Sequence, residues 1–118
     1  MAEQGRHFLV AERNDHLLGL AVVKIARGSP LVPSSNPAEL ERLYILDRFS
    51  RVGLGSKMLQ SVERECLDRG VADLWLTTWI GNSRALKFYE RSGYRDMGPT
   101  YFAHAGARYE NRLLAKSL

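Results

Sequence analysis

Apolar and β-branched residues fill two stretches near the start of the chain, 7–11 and 17–26, and Glu12, Arg13, Asn14 and Asp15 lie between them. Two such runs around turn residues predict a β-hairpin. Residues 28–37, GSPLVPSSNP, hold three of the four prolines and predict a loop. Residues 39–46 alternate in part and predict a strand. Its pleat sets Glu39, Glu41, Leu43 and Ile45 on one face and Leu40, Arg42, Tyr44 and Leu46 on the other. From Leu54 the period changes. Leu54, Met58, Leu59, Val62 and Cys66 recur at helical spacing, with Lys57, Glu63, Arg64 and Asp68 mostly off that stripe. Gly70 then stands where a helix ends in a left-handed residue.

Residues 71–79 are aromatic and β-branched and predict a further strand. Asn82 is a good N-cap, Ala85, Phe88 and Tyr89 form an apolar stripe behind it, and Gly93 stops this second helix. Residues 94–104 and 108–116 predict a terminal hairpin across Ala105, Gly106 and Ala107. The strand–helix–strand unit over 39–79 calls for parallel strands with a right-handed crossover, and the flanking hairpins add antiparallel ones. The expected fold class is α/β, a mixed sheet with helices packed on it, in one domain spanning residues 1–118.

Composition narrows the function classes. With 45% hydrophobic and 25% charged residues the chain is of ordinary globular make-up. No apolar run approaches the roughly 20 residues that cross a bilayer. The first ten residues, MAEQGRHFLV, lack the basic region and apolar stretch of a secretory signal, so a cytoplasmic protein is expected. The net charge of +4 is dispersed and forms no basic run, and a nucleic-acid partner is not expected. Cys66 lies on the helical stripe and reads as a buried thiol. His7, His16 and His104 show no ligand spacing, so no metal site is expected, and no serine stands in a G-x-S-x-G elbow.

The chemistry-bearing stretch is Ser50-Arg51-Val52-Gly53-Leu54-Gly55-Ser56, between the end of a strand and the start of a helix. The first amides of a helix have no internal partner, and the helix dipole makes that end favourable for anions. Glycine lets a diphosphate approach the backbone closely. The dinucleotide fingerprint G-x-G-x-x-G fails at its third glycine, where Met58 stands. The P-loop fails because Gly55-Ser56-Lys57 has the wrong order.

A third pattern fits better. Gly53 and Gly55 match the two small positions of Q/R-x-x-G-x-G/A, with Ser50 in place of the long first side chain. Downstream, NSRALKFYERSGY matches N-x-x-A-x-x-F-Y-x-x-x-G-F/Y at Asn82, Ala85, Phe88, Tyr89, Gly93 and Tyr94. In this order and spacing the two motifs resemble the GNAT family of N-acetyltransferases, from about His7 onward. The resemblance implies the acyl-CoA N-acyltransferase fold and acetyl-CoA as cosubstrate, held where two parallel strands splay apart. It implies that backbone groups of Tyr44, Ile45 and Leu46 align the thioester. Amides of Ser50, Arg51, Val52, Gly53, Leu54, Gly55 and Ser56 would take the pyrophosphate, and Asn82 would contact the cofactor. Tyr89 would protonate the leaving thiolate, and Glu39 or Glu41 would take a proton from the amine acceptor.

Relative to that family the chain is N-terminally short. It begins at the first hairpin, without the strand and two helices that usually precede it. An open sheet edge and a homodimer are expected for that reason. The rival reading is a CoA-binding or regulatory module that keeps the fold without turnover.

Overall fold

The computed structural model describes residues 5–46 and 53–118. Eight elements follow in the order β1 (Arg6–Arg13), β2 (His16–Ile25), β3 (Pro37–Ile45), α1 (Leu54–Asp68), β4 (Asp73–Trp79), α2 (Ser83–Arg91), β5 (Arg95–His104) and β6 (Ala107–Ser117). This is the predicted succession of elements. Both hairpins close on turns whose central residues have positive φ, Asn14 and Asp15 in one and Ala105 and Gly106 in the other. Such turns match the right-handed twist of paired strands.

The six strands form one sheet in the order β1-β2-β3-β4-β6-β5. Only β3 and β4 are parallel, and they pair over just three positions: Pro37 with Asp73, Ala38 with Leu74 and Glu39 with Trp75. Beyond Glu39, β3 continues on β2 alone as far as Ile45. Beyond Trp75, β4 continues on β6 alone as far as Trp79. The two central strands therefore part in mid-sheet.

α1 buries Met58, Leu59, Val62 and Cys66. They meet Ala21, Val23, Ala38, Leu40, Leu74, Leu76 and Leu114 from the sheet in the main core. On the opposite face the loop after β2 lays Leu31 and Val32 over Trp75, Leu113 and Ala115. The Trp75 indole donates to the Arg27 carbonyl at 2.8 Å. Burial pushes the Cys66 thiol up to about 11, as expected of an apolar interior.

The face assignment in β3 needs correction. Val22 pairs with Arg42 but Val23 pairs with Leu40, so Glu41 is an extra residue on β3. A bulge of this kind shifts the alternation by one. Ala38 and Leu40 lie in the core before it, and Leu43 and Ile45 pack on the same core after it. Glu39 and Glu41 therefore do not share a face with Leu43 and Ile45. The two tryptophans of β4 differ in burial. Trp75 packs in the second core cluster and is 7% exposed, whereas Trp79 is 54% exposed. Its ring lies over Gly81, where a Cβ would come within 2.4 Å of it.

Gly19 shows how tightly β2 sits under α1. A Cβ there would stand 2.6 Å from the Met58 sulfur and 2.9 Å from the Tyr44 carbonyl oxygen. The sulfur can swing aside and the backbone cannot. Gly19→Ala is expected to cost about 1–3 kcal/mol by overpacking, read as a lower denaturation midpoint at unchanged slope. An unchanged midpoint would show that β3 yields at Tyr44.

Candidate active site

Where β3 and β4 part, the helix-side face opens into a cleft of about 460 Å³. Leu43, Tyr44 and Ile45 of β3 form one wall. Gly55 of α1 lies at one side, and Asn82, Arg84, Ala85, Phe88, Tyr89 and Arg91 line the other. The structure thus brings together Tyr44, Ile45, Gly55, Asn82 and Tyr89, five of the residues singled out from the sequence.

Each is placed for a local reason. Gly53 is the N-cap of α1 at φ 77, and among the described residues no side chain caps this helix end. The first turn of α1 carries no acidic residue, so the helix dipole there favours an anion. At Gly55 a Cβ would meet the Phe88 ring at 3.5 Å, so this position sets how closely α1 and α2 approach. Asn82 caps α2 by accepting from the Ala85 amide at 3.1 Å. That bond takes one lone pair of its side-chain oxygen, and the amide NH₂ adds donors that Asn82 can offer the cleft.

Tyr89 is the buried residue of α2. Its ring packs edge-on against Phe88 at 5.0 Å and against Tyr94 at 5.7 Å between centroids. Burial pushes its phenol up to about 12, so it stays protonated at neutral pH. Tyr94 is held from behind. Its hydroxyl donates to Glu63 at 2.7 Å, and Lys116 donates to Glu63 at 3.1 Å and to the Ser92 carbonyl at 3.0 Å. This network ties α1, the end of α2 and β6 together beneath the Tyr89 ring.

The two carboxylates lie on the other face of the sheet. Glu39 pairs across the ladder with Trp75, and its neighbours Ala38 and Leu40 point to the helices. Glu41 accepts from Arg6 at 2.6 and 2.8 Å, and this fork holds its carboxyl below the usual carboxylate range. Glu39 accepts from Arg27 at 3.1 Å. Burial nonetheless wins there and raises its carboxyl above the ordinary value.

The remaining candidates are spread around the cleft. Leu54 packs against the main core, and Ser56 opens on a separate hollow with Glu63 and Lys116. Leu46 follows β3, its amide donating to the Leu18 carbonyl at 3.0 Å. Ser50, Arg51 and Val52 lie outside the described residues. Arg84 and Arg91 are cleft residues that the sequence reading passed over. Their signal was present: with Phe88 they stand at i, i+4 and i+7, one face of a helix. Among the described residues no three His, Cys, Asp or Glu side chains cluster as metal ligands, and no helix is long and apolar enough to cross a membrane.

A split parallel pair, an uncapped helix N-terminus beside it and a buried phenol on the facing helix describe an acyl-CoA-type transferase fold. Residues 1–94 match the model of the Acetyltransferase (GNAT) family, and the chain belongs to that family. It is 27% identical over 111 residues to an uncharacterized N-acetyltransferase of Mycobacterium tuberculosis, covering 94% of this chain and 66% of the relative. It is also 33% identical over 58 residues to a thialysine N-epsilon-acetyltransferase of Bos taurus, covering 49% of this chain and 34% of the relative. The chain thus spans just under two thirds of the mycobacterial relative. Among solved structures, a GNAT family acetyltransferase from Elizabethkingia anophelis with acetyl-CoA bound superposes with a TM-score of 0.77 at 16% identity, covering 97% of this chain and 77% of that one. An N-acetyltransferase from Thermoplasma acidophilum in complex with coenzyme A gives a TM-score of 0.74 at 21% identity, covering 97% and 62%. Both share the fold.

Proposed function

We propose that the chain transfers the acetyl group of acetyl-CoA to a primary amine by direct attack in a ternary complex. The observation that carries this reading is the parting of β3 and β4 beyond Glu39 and Trp75. It leaves one side of β3 without a ladder partner among the described residues, next to the free N-terminus of α1.

In this reading acetyl-CoA enters from the helix side. Amides at the start of α1, from Gly53 to Ser56, take the pyrophosphate, and the sequence motif extends this set to Ser50, Arg51 and Val52. Asn82 and the cationic Arg84 and Arg91 face the cofactor from α2. Main-chain groups of Tyr44, Ile45 and Leu46 align the thioester, and since the Leu46 amide is committed to Leu18, its neighbour Ile45 supplies the amide that meets the negative charge developing on the carbonyl oxygen.

The amine approaches from the opposite face, where Glu39 and Glu41 lie. Its nitrogen forms a bond to the acyl carbon and the carbon–sulfur bond breaks. Tyr89 gives its phenolic proton to the departing thiolate, and the amine's surplus proton passes to a base on the Glu39 face. Holding both substrates at one gap in the sheet replaces a bimolecular encounter by a positioned one.

The two carboxylates differ as bases. Glu41 is already committed to Arg6 and held low, whereas Glu39 is raised by burial, which suits proton abstraction. A carboxylate accepts a proton only above its own pKa, so kcat/KM is expected to fall as pH drops through the raised Glu39 value. Glu39→Gln is expected to remove that acidic limb and lower kcat about 100-fold, with Glu41→Gln retaining the limb. An acidic limb that survives in Glu39→Gln would assign the base elsewhere. The reading as a whole is tested by following thiol release from acetyl-CoA across a panel of primary amines. Thermal stabilisation by CoA without turnover on any amine would replace it with a binding module.

A further inference from the structure

We infer that Arg27 is a positioning residue for proton removal: with its main chain anchored by Trp75, its guanidinium keeps the Glu39 carboxyl ionised, a role that rests on the proposed reading of Glu39 as the base. Arg27 belongs to neither sequence motif and lies 12 positions before Glu39. Its place is set by the turn after β2. Ala26 follows the last residue of that strand, Ile25, and takes φ 63, a conformation that residues with a Cβ seldom adopt. The chain then crosses the face of the sheet opposite the helices, where Leu31 and Val32 lie over Trp75. The Trp75 indole donates to the Arg27 carbonyl at 2.8 Å. Trp75 is also the ladder partner of Glu39. One tryptophan therefore flanks the carboxylate and fixes the main chain of the arginine that bonds it.

Charge reaches Glu39 from every element around it. From the loop, Arg27 donates through one guanidinium nitrogen to Glu39 Oε1 at 3.1 Å. Lys24 stands opposite Glu39 in the β2–β3 ladder. Glu41, two residues along β3, is forked by Arg6 of β1. On β4, Asp73 lies two positions before Trp75 and accepts from the Ser117 hydroxyl at 2.8 Å. Burial pushes the Glu39 carboxyl up, and the largest effect opposing it is the charge of Arg27. The two arginine contacts differ in kind. Arg6 engages both oxygens of Glu41, whereas Arg27 engages a single oxygen of Glu39.

That difference decides what each carboxylate can do. A protonated carboxyl cannot take the amine's proton, so burial alone would confine Glu39 to higher pH. The Arg27 charge favours the ionised form and extends the working range of the base downward. The contact through one oxygen does so without committing the whole carboxylate, as the Arg6 fork commits Glu41. The Glu39 side chain is 16% exposed and that of Arg27 is 44% exposed, so water shares part of the arginine's charge. A pair this open adds little to stability. Arg27→Gln is therefore expected to leave the thermal midpoint nearly unchanged, which keeps folding out of the comparison.

The test compares wild type with Arg27→Gln, Arg27→Lys and Glu39→Gln in two measurements. The first is an NMR titration of the side-chain carboxyls, in which the Glu39 signal is the one missing from Glu39→Gln. In Arg27→Gln this signal is expected to titrate at higher pH than in wild type. In Arg27→Lys, which keeps the charge, it should stay near the wild-type midpoint. The second is the pH profile of kcat/KM with acetyl-CoA and the primary amine of the thiol-release panel that turns over fastest. Ionisation of the amine is common to all the chains and cancels in the ratio of variant to wild type. For Arg27→Gln, kcat/KM is expected about fivefold below wild type on the acidic limb and nearly equal on the plateau. An unmoved Glu39 signal in Arg27→Gln would overturn the role of Arg27 alone, as would a rate loss that is uniform across pH or that Arg27→Lys shares. A Glu39 signal that moves while the acidic limb stays in place would overturn the reading of Glu39 as base, and the role of Arg27 with it.

Discussion

Tyr89→Phe is expected to lower kcat about 100-fold, the scale of one positioned general acid, with the KM for acetyl-CoA nearly unchanged. The expectation rests on what the hydroxyl touches. The ring is fixed by edge-on contacts with Phe88 and Tyr94, and phenylalanine keeps both. No hydrogen bond to the hydroxyl is found among the described residues, and the group lies on the helix that lines the cleft. Removing it should therefore leave stability within about 0.5 kcal/mol. A change confined to kcat separates an acid from a packing residue, for which neither kcat nor KM would move. The pH profile gives a second check. Burial holds the phenol near 12, so loss of the acid form should not depress the wild-type rate until well above neutral pH. A wild-type rate that falls near neutrality, or Tyr89→Phe turnover equal to wild type, would remove Tyr89 from the mechanism.

Gly53→Glu is expected to weaken CoA binding about 100-fold or more, measured by calorimetric titration. Two effects combine. Gly53 caps α1 at φ 77, a left-handed conformation that costs an ordinary L-residue about 1–2 kcal/mol. A carboxylate at this position also places negative charge where the diphosphate is proposed to sit. A Cβ at Gly53 meets nothing within 4 Å among the described residues, so the expected loss is argued from backbone strain and charge. Gly53→Asn is the informative control. Asparagine tolerates positive φ and adds no charge, so it should keep most of the affinity, while Gly53→Ala should lose part of it through backbone strain. Retained affinity in Gly53→Glu would place the diphosphate elsewhere.

The elements were legible because each is written in local terms. The stripe Met58, Leu59, Val62 and Cys66 repeats at helical spacing and is the stripe that α1 buries. Asn82 caps α2 as its side-chain chemistry dictates, and Gly70 and Gly93 close their helices at positive φ. The family could be read from two spaced motifs because their residues meet demands local to the chain: a left-handed cap, a close helix contact, a capping amide. In the fold Tyr44, Ile45, Gly55, Asn82 and Tyr89 converge on one cleft.

What the sequence could not show depends on partners distant along the chain. The extra residue at Glu41 exists only in register with β2, and a period-two reading carried through it misplaces Leu43 and Ile45. The contrast between Glu39 and Glu41 was likewise hidden. Both are glutamates two residues apart, yet Arg6, 35 positions away, lowers one, while burial beside Trp75 raises the other. Periodicity, capping and turn chemistry act within a few residues, so the chain by itself determined its helices, its strands and its family. Register, burial and charge pairing act across the sheet, so only the tertiary structure decided where β3 and β4 part and that burial raises the Glu39 carboxyl while Arg6 lowers that of Glu41.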